Sequence, residues 1–209
     1  HADADLLKKH LGIMGVELWF HANGIDESNV HHPYKVKSHG IGNSQILPKD
    51  YRRKGDIELI LREMAEQVAV RLRRVRKKTT CVSIHVGYSR TEEKKSIQAQ
   101  RKIDPTNQTK PLTEVVLDLF RQKYTSGAVR RVGISYQGLV DEAITVYSLF
   151  DDYEQVEKEE KLQKAVDTIR DEFGFTSLLK ANSLLESSRV KARSQLVGGH
   201  SAGGLDGLT

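Results

Sequence analysis

The stretch KSHGIGNSQILPKDYRR, residues 37–53, carries two glycines, Gly40 and Gly42, two positions apart. It reads as a strand that ends at Pro48, so both glycines fall on one face of that strand. Glycine inside a strand weakens it and marks a close approach by another backbone or by a ligand. Lys37, Ser38, Asn43, Ser44 and Gln45 stand around the pair and can all bond an anion. A second stretch, SIQAQRKI, separates by alternation. Ile97, Ala99 and Ile103 point one way, with Arg101 as the exception, and Ser96, Gln98, Gln100 and Lys102 point the other. Such a long, polar, nearly uncharged row suits phosphate oxygens without demanding a base sequence. A third candidate is GIMG, where Gly12 and Gly15 separate two apolar patches in a helix-hairpin-helix pattern whose outward amides can hold a phosphate. Each signal has a plainer reading beside it: a bulge or local twist, an ordinary wet sheet face, and a glycine-capped helical turn.

Other chemistries find little support. His31 and His32 are adjacent but lack further ligands at a sensible spacing, and the single cysteine, Cys81, excludes a cysteine-based metal site. Cys81 sits in an alternating apolar run and reads as a buried thiol of a reducing cytoplasm. Ser201 in GGHSAGG has no strand before it and no helix after it, so it is no nucleophile elbow. No nucleophile-base pair or phosphate loop points to a small enzyme.

The elements that must carry the candidate residues follow from periodicity. Leu6, Leu7 and Leu11 make a helical face before GIMG, and Val16, Leu18, Trp19 and Phe20 start a second patch after it. The polar stretch IDESNVHHPYKV reads as a linker. After the glycine strand, Ile57, Ile60, Leu61, Met64, Val68, Leu72 and Val75 repeat at three and four and predict a long helix ending in RLRRVRKK. Val82, Ile84, Val86 and Tyr88 alternate with Cys81, Ser83, His85 and Gly87. SRTEEKK connects to SIQAQRKI. Leu112, Val115, Val116, Leu119 and Phe120 mark a second helix. In the last strand Val132, Ile134 and Tyr136 alternate with Arg131, Gly133, Ser135 and Gln137. The order β-α-β-β-α-β predicts an α+β fold: a four-stranded antiparallel sheet with two helices on one face and the other face open. The expected divisions are 1–28, a helix-hairpin-helix; 29–36, a linker; 37–140, the sheet domain; and 141–209, a helical tail. In that tail Leu162, Ala165, Val166, Ile169 and Phe173 form a helix face, and Leu178, Leu179, Leu184 and Leu185 suggest another helix.

Charge is split along the chain. Residues 1–150 hold 25 Lys and Arg against 17 Asp and Glu, a surplus of eight, whereas residues 151–209 hold 8 against 11. A basic body suits a polyanionic partner. No run of about eighteen apolar residues exists, so no membrane span is expected. The chain begins with His1, inside an apparent helix, and reads as a fragment of something longer with a cytoplasmic setting.

These residues together resemble the C-terminal part of a Y-family translesion DNA polymerase, of the DinB/UmuC-like, ImpB/MucB/SamB kind. LLKKHLGIMGVELWFHANGID looks like the end of a thumb domain. KSHGIGNSQILPKDYR, the helix after it, SIQAQRKI and RRVGISY look like a little finger domain. SLFDD and the helix after it look like the C-terminal segment of bacterial members. The resemblance implies a little finger lying along the major groove of primer-template duplex. Gly40 and Gly42 would let a phosphate backbone approach, and Ser38, Asn43 and Ser44 would donate to it. Ser96, Gln98, Gln100 and Lys102 would do so from another strand, with Lys95 close by. It implies Mg²⁺-dependent nucleotidyl transfer by palm carboxylates of the parent protein. No such motif occurs here, so the fragment itself is expected to need no cofactor and not to polymerise alone. Finally it implies a clamp-docking pentapeptide at Val146, Tyr147, Ser148, Leu149 and Phe150. The usual leading glutamine is missing there and the Leu-Phe anchors remain. The alternative is that Leu149 and Phe150 pack on the body. The leading expectation is a DNA grip with strong salt dependence and weak sequence preference, and its rival is a partner-binding module whose active part is the tail.

Overall fold

The computed structural model describes residues 3–26, 40–143 and 153–195. The chain divides into two compact units, 1–37 and 38–209. In the first, α1 (Ala4–Leu11) and α2 (Ile13–Ala22) meet at Gly12, whose φ of 65° lets one residue end the first helix and start the second. Asp3 caps α1 by accepting the Asp5 N–H. Gly15 is buried because the carbonyl of Leu7 lies against it. A β-carbon there would stand 2.3 Å from that oxygen.

The second unit runs β1 (Gly40–Tyr51), α3 (Lys54–Arg74), β2 (Lys77–Tyr88), β3 (Ile97–Thr106), α4 (Thr109–Lys123) and β4 (Val129–Gln137). The sheet is antiparallel, in the order β1-β4-β2-β3. A two-residue strand, β5 (Val140–Asp141), pairs with the start of β2, so the sheet counts five strands where four were expected. β1 does not stop at Pro48. It continues to Tyr51 across an irregularity between Ile46 and Tyr51, which suits a proline on an outer strand that owes no ladder donor there.

Register sorts the side chains into two faces. Val82, Ile84 and Val86 of β2 lie beside Tyr136, Ile134 and Val132 of β4, and all six are buried against apolar residues of α3 and α4. Tyr136 is fully buried, its hydroxyl donates to the Ala65 carbonyl at 3.0 Å, and burial pushes its pKa up. Arg101 lies in register with Val82 on this covered side, where it reaches Asp118 of α4 at 3.4 Å. That contact accounts for the one charge in the apolar row of β3.

Residues 153–195 pack onto α3 and α4. α5 (Tyr153–Phe173) turns its polar side inward, leaving Leu162, Ile169 and Phe173 exposed. Arg170 is buried and donates to Glu66 of α3 at 2.9 Å and to the Leu178 carbonyl. Arg73 of α3 holds Asp167 with two donors, and Arg74 holds Asp171. The leucines at 178–185 build no α-helix. Two short 3-10 turns, Phe175–Ser177 and Ala181–Leu184, stand there instead, followed by α6 (Val190–Ser194). Arg193 of α6 meets Glu63 of α3 at 2.7 Å, with both side chains only 3% exposed.

Candidate nucleic-acid interface

The other face of the sheet carries the residues that can bind. Two cross-strand rows define it. One runs Gly42, Ser135, Ser83, Gln100, and the next runs Ser44, Gly133, His85, Gln98. Gly40, Gln137, Cys81 and Lys102 form a row at one end, and Ile46, Arg131 and Gly87 one at the other. A shallow groove of about 790 Å³ lies over the two middle rows. The four strands span roughly 14 Å at their usual spacing of about 4.8 Å.

The middle of this face is small, polar and uncharged, and its cations, Lys102 and Arg131, sit at opposite ends. Ser83 ties the inner strands together: its hydroxyl donates to the Ser135 carbonyl at 3.3 Å and accepts from Gln137 Nε2 at 3.4 Å. The outer donors Ser44, Gln98 and Gln100 are exposed. Cys81 is half-buried on this open face and not in the core, because it shares the register of Gln137 and Lys102.

The glycines of β1 answer to a neighbouring strand. A β-carbon on Gly40 would lie 2.8 Å from the Tyr136 carbonyl oxygen, and one on Gly42 2.8 Å from that of Ile134. Close approach by β4 therefore requires both positions to lack a side chain. Gly133 on β4 is buried opposite Ser44 and adds to the smooth central strip.

Of the residues singled out from the sequence, the sheet brings Gly40, Gly42, Ser44, Gln98, Gln100 and Lys102 onto one face. Lys95 and Ser96 are exposed in the loop that leads into β3. Asn43 shares the register of Ile134, so its side chain belongs to the helix-covered side and not with Gly42 and Ser44. Gly12 and Gly15 belong to the other compact unit, and there Gly15 is occupied by helix packing. Lys37 and Ser38 lie outside the described residues, as do Val146, Tyr147, Ser148, Leu149 and Phe150. Sequence reasoning did not single out Ser83, His85, Ser135 and Gln137 for binding. The same alternation that exposed Gln98 and Gln100 would have found them.

The impB/mucB/samB family C-terminal domain matches residues 38–149. The chain belongs to that family. Its match covers the whole sheet with α3 and α4, and the resemblance to a Y-family polymerase C-terminal region is borne out. A relative from Bacillus subtilis (strain 168) that carries the name UvrX, a UV-damage repair protein, is 35% identical over 197 residues, 94% of this chain and 47% of its own length. DNA polymerase IV 2 of the same organism is 33% identical over 198 residues, 94% of this chain and 47% of its own. DNA polymerase IV of Clostridium kluyveri is 32% identical over 197 residues, covering 90% and 48%. The chain thus spans about half the length of these family members. Among the described residues no helix is long and apolar enough to cross a membrane, and no group of three or more His, Cys, Asp or Glu could hold a metal ion.

Proposed function

We propose that this chain is the duplex-gripping part of an error-prone translesion DNA polymerase, with the sheet domain acting as its little finger and residues 1–28 as the end of its thumb. One observation carries the reading: two cross-strand rows of small and neutral donors form an open groove on a sheet whose other face is covered by helices. Phosphate oxygens are the ligand these groups suit, because serine, glutamine and backbone amides bond them without reading base edges. A span of roughly 14 Å is close to the width of a B-DNA major groove, about 12 Å. β1 and β3 would then meet the two flanking backbones, while the small inner residues clear the space between. Nucleotidyl transfer and its Mg²⁺ belong, on this reading, to the part of the relatives that this chain does not span. Docking of Leu149 and Phe150 on a sliding clamp remains a second proposal, supported by the sequence pattern alone.

The neutral centre revises the salt dependence to be expected. Lys102, Arg131 and the exposed Lys95 beside β3 release counter-ions, but the serines and glutamines do not. The slope of log K against log salt should be about −2 to −3, well short of the value for a protein with six to ten phosphate contacts. The test is duplex binding by the chain, with and without Ser96, Gln98, Gln100 and Lys102 changed to Ala. Affinity should fall strongly in the variant at every salt concentration. A wild-type chain that fails to bind duplex at low salt would end the proposal.

A further inference from the structure

We propose that Arg71 completes a phosphate site at the outer edge of β1, supplying a cation that the middle of the open face lacks. The proposal rests on the duplex-gripping reading. β1 is the end strand in the order β1-β4-β2-β3, so one side of its backbone has no neighbouring strand among the described residues. Gly42 turns its carbonyl to that side, where Arg71 Nη1 donates to it at 3.0 Å. In an antiparallel ladder the N–H and C=O of one residue point the same way. The Gly42 N–H therefore faces outward too, and the period of two brings the Ser44 N–H to the same side. Gly42 and Ser44 are also the β1 members of the two middle rows of the open face. The sheet face and the strand edge thus meet at these two residues.

Arg71 reaches this corner from the last turn of α3, and its side chain is exposed. A guanidinium has five N–H donors in a fixed fork. Gly42 takes one, and among the described residues no other protein acceptor is bonded to the side chain. The carbonyl bond fixes the orientation of the fork, so little rotamer freedom is left to lose when an anion arrives. Glycine at 42 leaves no side chain between the guanidinium and the outward amide. A phosphate of a duplex lying over β1 would find a planar cation, a backbone N–H and the Ser44 hydroxyl converging at the rim of the groove. The plainer role for Arg71 is to cap an unpaired strand edge, and the two roles differ in one measurable quantity.

That quantity is the salt slope. Binding of the full chain to a short duplex is measured across about 50 to 200 mM salt for wild type, Arg71→Gln, Arg71→Lys and Lys161→Gln, the last making the same charge change on α5. Arg71→Gln should make the slope shallower by about one, the signature of a lost phosphate contact. Arg71→Lys should keep the slope while losing affinity, and Lys161→Gln should match wild type. If Arg71→Gln weakens binding with an unchanged slope, or changes neither, Arg71 is a strand cap and the proposal is overturned. A readout on the wild-type protein covers the case in which Arg71→Gln fails to fold. The Arg71 Nε–H resonance, assigned by its disappearance in Arg71→Lys, should shift when duplex is added, and an unmoved resonance overturns the proposal equally. Failure of wild type to bind duplex ends both this site and the grip. Wild-type binding with an unaffected slope in Arg71→Gln ends the Arg71 site alone.

Discussion

Glu63→Ala should cost the folded chain about 3–5 kcal/mol, although the residue lies far from the proposed grip. Glu63 accepts the Ser188 hydroxyl, the Arg189 N–H at 2.9 Å and Arg193 Nη2 at 2.7 Å. Among the described residues Arg193 Nε and Nη1 have no partner although both are buried, and burial pulls its pKa down to about 10. Among the described residues Glu63 is thus the sole counter-charge bonded to a nearly dry guanidinium, and removing it leaves that charge stranded. Arg193→Met is a gentler change, because it removes the costly charge and Glu63 keeps its bonds to Ser188 and Arg189. It should cost about 1–2 kcal/mol less than Glu63→Ala, and Glu63→Gln with Arg193→Met, which keeps an uncharged acceptor for Ser188 and Arg189, should lie within about 1 kcal/mol of wild type or above it. Urea unfolding followed by circular dichroism measures all three. A Glu63→Ala cost below about 1 kcal/mol would refute the reasoning, because a buried pair cannot be that cheap to break. Equal costs for the two single variants would refute the asymmetry.

Other outcomes follow from the same geometry. Gly42→Ala places a β-carbon 2.8 Å from the Ile134 carbonyl oxygen and 3.1 Å from Ser135 Cβ, and should cost about 1–3 kcal/mol in urea unfolding; Ser44→Ala should be nearly silent there. Gly15→Val drives a branched side chain into the Leu7 carbonyl, so hydrogen exchange should speed up across α1 and α2 and remain slow in β2 and β4. Glu58 is held below the usual carboxylate range, first by its hydrogen bond from Arg121. A lowered carboxylate contributes stability above its unfolded pKa and loses it as pH falls through the folded one. The Tm gap between wild type and Arg121→Ala should therefore be visible near neutral pH and close in acid.

The sheet and its two helices were legible because each strand and helix repeats its own period. Val82, Ile84 and Val86 against Ser83 and His85 show period two, and Ile57 to Val75 show three and four. What failed did so for reasons of register and of distance along the chain. Asn43 was assigned with its neighbours by residue type, yet one step along a strand changes the face. Arg101 broke its row because its partner, Asp118, lies on a helix 17 positions away. The inward side of α5 was unreadable, since it is chosen by Glu66, Arg73 and Arg74 across about 100 residues and not by its own apolar stripe. The leucines at 178–185 looked helical by composition, but Arg170 claims the Leu178 carbonyl and the chain turns instead.

The uncharged middle of the open face bears on speed as well as on strength. A hydrogen bond from a neutral donor to a charged phosphate is worth about 1.5–3 kcal/mol, and a guanidinium or ammonium at the same phosphate adds an ion pair to it. On the proposed reading, a duplex resting on serines, glutamines and bare backbone would be held by several similar hydrogen bonds in place of a few ion pairs. Advancing by one nucleotide would exchange each contact for an equivalent one on the next phosphate, with a small barrier at each. Such a surface would work as a bearing: it would keep the helix aligned while letting it travel, and concentrate the friction at the rim, where Lys102 and Arg131 stand.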